Sequence, residues 1–349
     1  MSSFKTSLKG VVVLDISRLL PGGFTSMHLT QLGARVIKVE QPGVGDYYRA
    51  LLPGDVNMGG GHFEVLHAGQ EALSLDLKQL EGKAVFFKLC RKADVVLESF
   101  RPGTLQRLGL GYPVLKKTNP KLILCSITGY GQVGPQAHLA GHDLNFLARS
   151  GLLDMLGSRE TLPDFQMVDL ATGSMATQAI LAALYARQKN KRGQWLDVSM
   201  DQAARQWAQV YRHPQRGWSR SPLGGGFYRY GVYQAQDGWV ALGALEPKFW
   251  NRFCEVVKHP EWMDPAFSLA SDETLFKQLQ DLFRLRSASD WVKLGTEHDL
   301  CITEVKAMFQ VSPAAGKSAP LLGGQSDKIL RSLGYSSQAI RDLKVKQVI

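Results

Sequence analysis

The chain has 349 residues, 44% hydrophobic and 21% charged, with a formal net charge of +10. These are proportions of a soluble globular protein, and the length predicts two domains, or one large domain with an insertion. The positive charge lies in scattered pieces such as "KLCRKAD", "RQKNKR" and "KVKQ" with no interleaved aromatic block; this excludes a nucleic-acid partner from the expectations and leaves a small polyanionic ligand as its best use.

From the start, "MSSFKTSLKG" lacks the apolar stretch of a signal peptide and leads directly into a strand pattern. "GVVVLDI" (10–16) reads as a strand, "GGFTSMHLTQLG" (22–33) as a helix and "ARVIKVE" (34–40) as a second strand. "ADVVLESF" (93–100) and "KLILCSITGYG" (121–131) repeat the alternation, each after a helical segment. Strands alternating with helices predict a parallel sheet covered on both faces, with ligands at the carboxyl ends of the strands. Those ends carry Arg18, Glu40, "ESFRPG" and "TGYGQVGP". The first strand-to-helix turn reads "SRLLPGGF", so the G-x-G-x-x-G dinucleotide fingerprint is absent.

Further on, "AGHDLNFLARSGLL" (140–153) sets His142 and Asp143 at the entrance of an apolar helical run, where capping needs only one polar group. "LATGSMATQAILAALYARQK" (170–189) reads as a strong helix with Asp169 directly before it. "GQWLDVSM" (193–200) is a strand and "DQAARQWAQVYRH" a helix. Gly-, Pro-, Ser- and Arg-rich sequence at 213–230 reads as a linker, and "GVYQAQDGWVALGAL" (231–245) as a hairpin turning at Asp237-Gly238. Helical segments follow to about residue 309, and two more helices close the chain in 320–343. No apolar run approaches the ~20 residues of a membrane span. Cys90, Cys125, Cys254 and Cys301 stand singly in apolar segments. They read as core thiols in a cytoplasmic protein, with neither a disulfide framework nor a metal site.

Eight stretches in order resemble the class III CoA-transferase and α-methylacyl-CoA racemase superfamily: "VVVLDISRLLPGGFTSMHLTQLGARVIKVEQPGVGD", "LSLDLK", "ADVVLESFRPGTLQRLGLGY", "SITGYGQVGP", "GHDLNFLARSGLL", "GQWLDVSM", "ALGALEPKFW" and "PLLGGQSDKILRSLGY". The resemblance implies an α/β fold: a large Rossmann-like domain with a parallel sheet, a smaller α+β domain, and two chains interlocked as a homodimer. The corresponding boundaries are 1–212 completed by 320–349 for the large domain, 213–230 for the linker and 231–319 for the small domain. An acyl-CoA is then the substrate, CoA entering as part of the thioester and no separate cofactor or metal being implied.

Two chemistries divide the superfamily. In both, Asp169 matches an aspartate before a long helix. As a transferase nucleophile it would carry the acyl group as a mixed anhydride; as a racemase base it would exchange protons with a histidine. "GHD" at 141–143 resembles the racemase pattern through His142, and "ALEP" at 244–247 resembles the motif whose glutamate, here Glu246, supports that histidine. Moving a proton between the two faces of a planar enolate needs one basic and one acidic group, which a histidine and a carboxylate supply near neutral pH. A helix N-terminus would favour the charged form of Asp169, and backbone N–H groups in "TGYGQVGP" or at the helix start would hold the enolate oxygen. For CoA the resemblance points to Arg18, Lys38, Arg49 and Arg101, whose cationic groups suit phosphate oxygens.

The chain also departs from the pattern. "HAGQEALSLDLK" puts His67, Gln70 and Glu71 where an Asn-Arg-Gly-Lys-like stretch usually helps hold CoA. Phe146 stands where racemases tend to have tyrosine, and Phe165 where they have asparagine, which implies an altered acyl pocket. The resulting expectation is a racemase of 2-methylacyl-CoA thioesters. A CoA-transferase is the alternative, and a non-catalytic acyl-CoA-binding protein stands further off.

Overall fold

Short β-branched runs, each followed by a helix, fold into one parallel sheet in the computed structural model. It describes residues 5–50, 61–156, 162–211, 222–224, 226–263, 273–308 and 317–349. The first unit contains β1 (Val12–Asp15), α1 (Leu19–Gln31), β2 (Arg35–Glu40), α2 (Gly61–Leu66), β3 (Glu71–Ser74), α3 (Leu80–Cys90) and β4 (Val95–Glu98). It continues through α4 (Thr104–Arg107), α5 (Tyr112–Thr118), β5 (Ile123–Thr128), α6 (Asp143–Ser150), α7 (Met167–Asn190), β6 (Trp195–Ser199) and α8 (Met200–Gln209). The strand order is β3-β2-β1-β4-β5-β6, all parallel, which is the doubly wound arrangement expected from the alternation. Its central strands are buried throughout, as a parallel sheet covered on both faces requires.

Apolar clusters cover the two faces. One face packs Leu14, Ile37, Phe86 and Val96 with Ile329 and Ile340 from the C-terminal segment. The other packs Val13, Val36, Val95 and Ile123 against Ala176, Ile180 and Leu184 of α7. This helix, at mean hydropathy 1.3 over its most apolar stretch, is long and apolar enough to cross a membrane, contrary to the sequence expectation, yet half of that stretch is buried in the unit. It meets α1 closely at Gly173, where a Cβ would fall 2.9 Å from the Pro21 carbonyl oxygen.

By contacts, the first unit comprises 1–154, 159–212 and 315–349, and the second 155–158 and 213–314. The second holds an antiparallel sheet of β7 (Tyr230–Gln234), β8 (Trp239–Gly243) and, after α9 (Pro247–Val256), α10 (Glu273–Phe283) and α11 (Ala288–His298), β9 (Ile302–Glu304). The Asp237-Gly238 hairpin is present between β7 and β8, whereas β9 interrupts a segment read as helical. Trp250, Phe253, Phe283 and Trp291 form its core. In the first unit, α12 (Ser326–Ser332) and α13 (Ser337–Val345) end the chain as expected. Much of the 213–230 linker lies outside the described residues.

Candidate active site

The first turn of α7 explains why two titratable groups precede α6. Asp143 Oδ1 accepts hydrogen bonds from the backbone N–H groups of Val168 at 2.6 Å and Asp169 at 2.9 Å. It therefore caps α7, a helix 25 residues further along, and not the helix it begins. Asp169 is the third residue of α7, which starts at Met167, so its side chain is not the N-cap that its position before residue 170 implied.

Asp169 Oδ1 is buried without a hydrogen-bond partner. Burial, reinforced by the nearby Asp143 carboxylate, pushes its carboxyl up to about 7. The sequence expectation ran the other way, because the field of a helix N-terminus favours the anion. Here that field is already answered by Asp143, and desolvation plus like-charge repulsion prevail.

His142 occupies the N-cap position of α6, exposed, with its backbone N–H donating to Asn145 Oδ1 at 3.0 Å. The same dipeptide thus supplies an accessible imidazole and, one residue on, the carboxylate that fixes the Asp169 backbone. Arg101 holds the approach to it: the guanidinium donates to the carbonyl of Leu139 at 2.7 Å. Four of the N–H groups named as enolate donors are engaged. Those of Val168 and Asp169 serve Asp143, Gly131 serves Thr128 Oγ1, and Gln132 serves Asp197.

Phe146 is fully buried against two glycines: a Cβ on Gly129 or Gly141 would come within 2.9 or 2.8 Å of its para carbon. The departure from tyrosine is thus an internal packing choice and does not reshape an open wall. Phe165, by contrast, is exposed.

A cavity of about 330 Å³ opens at the carboxyl ends of β1, β2 and β4, lined among others by Arg18, Tyr47, Lys78, Phe100 and Leu108. Arg18 is held there by a 2.7 Å hydrogen bond to the Tyr47 hydroxyl, with its guanidinium carbon 4.8 Å from the Tyr47 ring centre and 5.8 Å from that of Phe100. Of the four cations proposed for CoA, Arg18 faces this cavity and Arg101 is exposed.

The other two are engaged within the fold. Lys38 is fully buried, donating to the Ser17 carbonyl at 2.7 Å and pairing with Asp46 at 3.0 Å and Asp15 at 3.4 Å. Burial would lower its pKa, but Asp15, Asp46 and Glu40 outweigh that and hold it above the usual lysine value. Its charge is spent inside the fold. Arg49 is likewise committed, through paired 2.8 Å hydrogen bonds to Glu40 and another at 3.1 Å to the Pro320 carbonyl.

The side chains that distinguish the "HAGQEA" stretch are also engaged by other protein groups. His67 is wholly buried, bonds Gln70 through Nδ1 at 2.9 Å, and is pushed down to about 4 by burial and then by the Lys38 charge. Gln70 donates to Ser26, and Glu71 pairs with Arg35 and Lys328.

One residue escaped the sequence reading. Tyr48 is buried on the short turn Tyr47–Arg49, whose N-cap Asp46 accepts from the Tyr48 N–H at 3.0 Å. Burial first, and then the charge of Asp169, raise its pKa, which puts the phenol within electrostatic reach of the candidate base. An aspartate directly ahead of two tyrosines was the available signal. Glu246, in the second unit, is exposed at the N-cap of α9 before Pro247, and its side chain makes no capping bond there.

A doubly wound sheet with a buried carboxylate at a helix start and an exposed histidine beside its cap is the frame of an α/β enzyme with an acid–base site. The chain belongs to CoA-transferase family III, which it matches over residues 8–317. It is 30% identical to human alpha-methylacyl-CoA racemase over 388 aligned positions, covering 98% of this chain and 97% of that one. It is also 34% identical to acetyl-CoA:oxalate CoA-transferase of Acetobacter aceti over 308 positions, covering 82% and 78%. The crystal structure of Rv3272 from Mycobacterium tuberculosis superposes with a TM-score of 0.76 at 28% identity, over 92% of this chain and 98% of that one.

Proposed function

We propose that this member of the family is a racemase of 2-methylacyl-CoA thioesters, with Asp169 and His142 as its two proton-transfer groups. The observation that carries the reading is the state of Asp169: its carboxyl is raised to about 7 by burial and by Asp143. A nucleophile that must attack a thioester gains from a low pKa, whereas a group that accepts a proton in one direction and returns it in the other works best near the ambient pH. The exposed His142 beside the cap of α7, and the nearly full-length similarity to a racemase, support the same choice.

In the reaction one group takes the α-proton and the C–H electron pair moves into the thioester carbonyl, giving an enolate. The other group then returns a proton to the opposite face and the carbonyl re-forms. Whichever of the pair began as the acid ends as the base. The CoA moiety is assigned to the Arg18 cavity, with Arg101 beside it.

We also place the chain in an interlocked homodimer. The support is the family resemblance together with apolar residues left open on the first unit, such as Val210 at 80% and Tyr185 at 62% exposure. A stable folded monomer in dilute sedimentation would contradict that assembly.

Mass spectrometry in deuterated water tests the activity. A 2-methylacyl-CoA should gain one α-deuterium with no acceptor acid present. If deuterium stays out while an added carboxylate becomes the new thioester, the enzyme is a transferase with Asp169 as its nucleophile.

A further inference from the structure

The basic runs "KLCRKAD" and "RQKNKR" are a hundred residues apart in sequence, and the function proposed above uses neither. The fold brings them together. The turn from α3 into β4, the turn from α5 into β5 and the end of α7 enclose an open cleft of about 410 Å³ at the amino-terminal edge of the sheet. Arg91, Lys92, Lys121, Arg187 and Lys191 line it with a single carboxylate, Asp94, a net charge of +4.

Arg187 forms the floor. It holds Asp94 Oδ1 at 2.8 Å and the Lys121 carbonyl at 3.1 Å, tying the three segments together. Lys92 and Lys191 each donate to one backbone carbonyl, of Ser332 and Gln188. The side chains of Arg91 and Lys121 are exposed and have no ion-pair or hydrogen-bond partner among the described residues.

Cations at helix C-termini have an ordinary explanation in the helix dipole, and three helices end here, at Cys90, Thr118 and Asn190. Each end offsets about half a charge, so roughly +2.5 is left uncompensated in the cleft. A concave site lined by one sign of charge concentrates its field on a counter-ion. Ala93 is the only apolar residue in the lining, so nothing there would hold a nucleobase or an acyl chain.

We infer that this cleft is a second ligand site, distinct from the candidate active site, that binds a small polyphosphate through Arg91 and Lys121 over the Arg187–Asp94 floor. It lies at the opposite end of α7 from Asp169, roughly 30 Å along the helix at 1.5 Å per residue. The inference does not rest on the racemase reading, because it concerns binding alone.

Calorimetric titration of the full-length protein with tripolyphosphate at low salt tests it. The native protein should bind saturably, with an affinity that falls as salt is added. The double variant Arg91→Glu/Lys121→Glu should bind at least about a hundredfold more weakly, since each charge-assisted hydrogen bond is worth roughly tenfold or more. It should remain folded, with at most a small drop in thermal stability from placing acidic groups near helix C-termini, because both side chains are exposed and unpartnered. Absence of saturable binding, or binding that survives the double charge reversal, overturns the inference. So does an affinity that falls with Arg18→Ala/Arg101→Ala instead, which would put the polyphosphate at the coenzyme-facing cavity.

Discussion

Asp143 illustrates how one carboxylate sets both the structure and the chemistry of its neighbour. Its Oδ1 caps α7 through the N–H groups of Val168 and Asp169, and its charge helps hold the Asp169 carboxyl near 7. Asp143→Asn keeps an acceptor for the cap but removes the charge. We expect the pKa of Asp169 to fall, so that the acidic limb of the kcat/KM–pH profile moves to lower pH with little loss of folding stability. An unmoved profile would mean that burial alone tunes Asp169. The residue pair was legible in the sequence only as a polar excess before a helix. Nothing local in "AGHDLN" reveals that the aspartate serves a helix 25 residues away, because that partnership is made by tertiary packing.

At the scale of elements, the turn Tyr47–Arg49 depends on a buried ion cluster. Asp46 accepts from the N–H groups of Leu19 and Tyr48 and pairs with Lys38, so a single carboxylate fixes the start of α1 and the turn that presents Tyr47 and Tyr48. Lys38→Met would leave Asp15 and Asp46 buried without their cation. Breaking a buried pair typically costs about 3–5 kcal/mol, and urea unfolding should show a loss of that order. A stable variant with impaired CoA binding would return Lys38 to the ligand site. Four strands of the parallel sheet were readable as β-branched runs, and β6 as "GQWLDVSM". β3 and β9 were not: "EALS" contains no β-branched residue, and β9 is only three residues long. β3 exists because the C-terminal segment covers its open edge, with the Gln325 side chain accepting from the Ala72 N–H and Ser326 from that of Ser74. Such partners lie some 250 residues away, beyond any periodicity. The burial of Lys38 was illegible for a related reason: a lysine inside "RVIKVE" has the same pattern whether its amine meets solvent or two aspartates.

For the whole molecule, buried titratable groups make stability depend on pH in two opposing directions. Burial raises Glu98 to about 7, and Asp169 is raised likewise. Both contribute stability that is complete below the ordinary carboxylate range and is lost as pH rises through about 7. His67, pushed down to about 4, contributes stability present above its ordinary value and lost as pH falls through about 4. Glu98→Gln removes one acid from the first group while keeping an acceptor for the Phe100 N–H, which the native carboxylate meets at 2.7 Å. Relative to the native protein it should gain stability at pH above ~7 and little or none near pH ~5. Equal effects at both pH values, read from urea midpoints, would show that Glu98 is not held protonated.

The central claim is that His142 and Asp169 act together on one α-carbon, and the rate at which His142→Ala epimerises a single isomer of 2-methylacyl-CoA tests it most directly. A positioned acid–base group is worth roughly 10²–10⁴-fold in rate, so the account predicts a loss of that size in a folded variant. Epimerisation by His142→Ala at the native rate would contradict it.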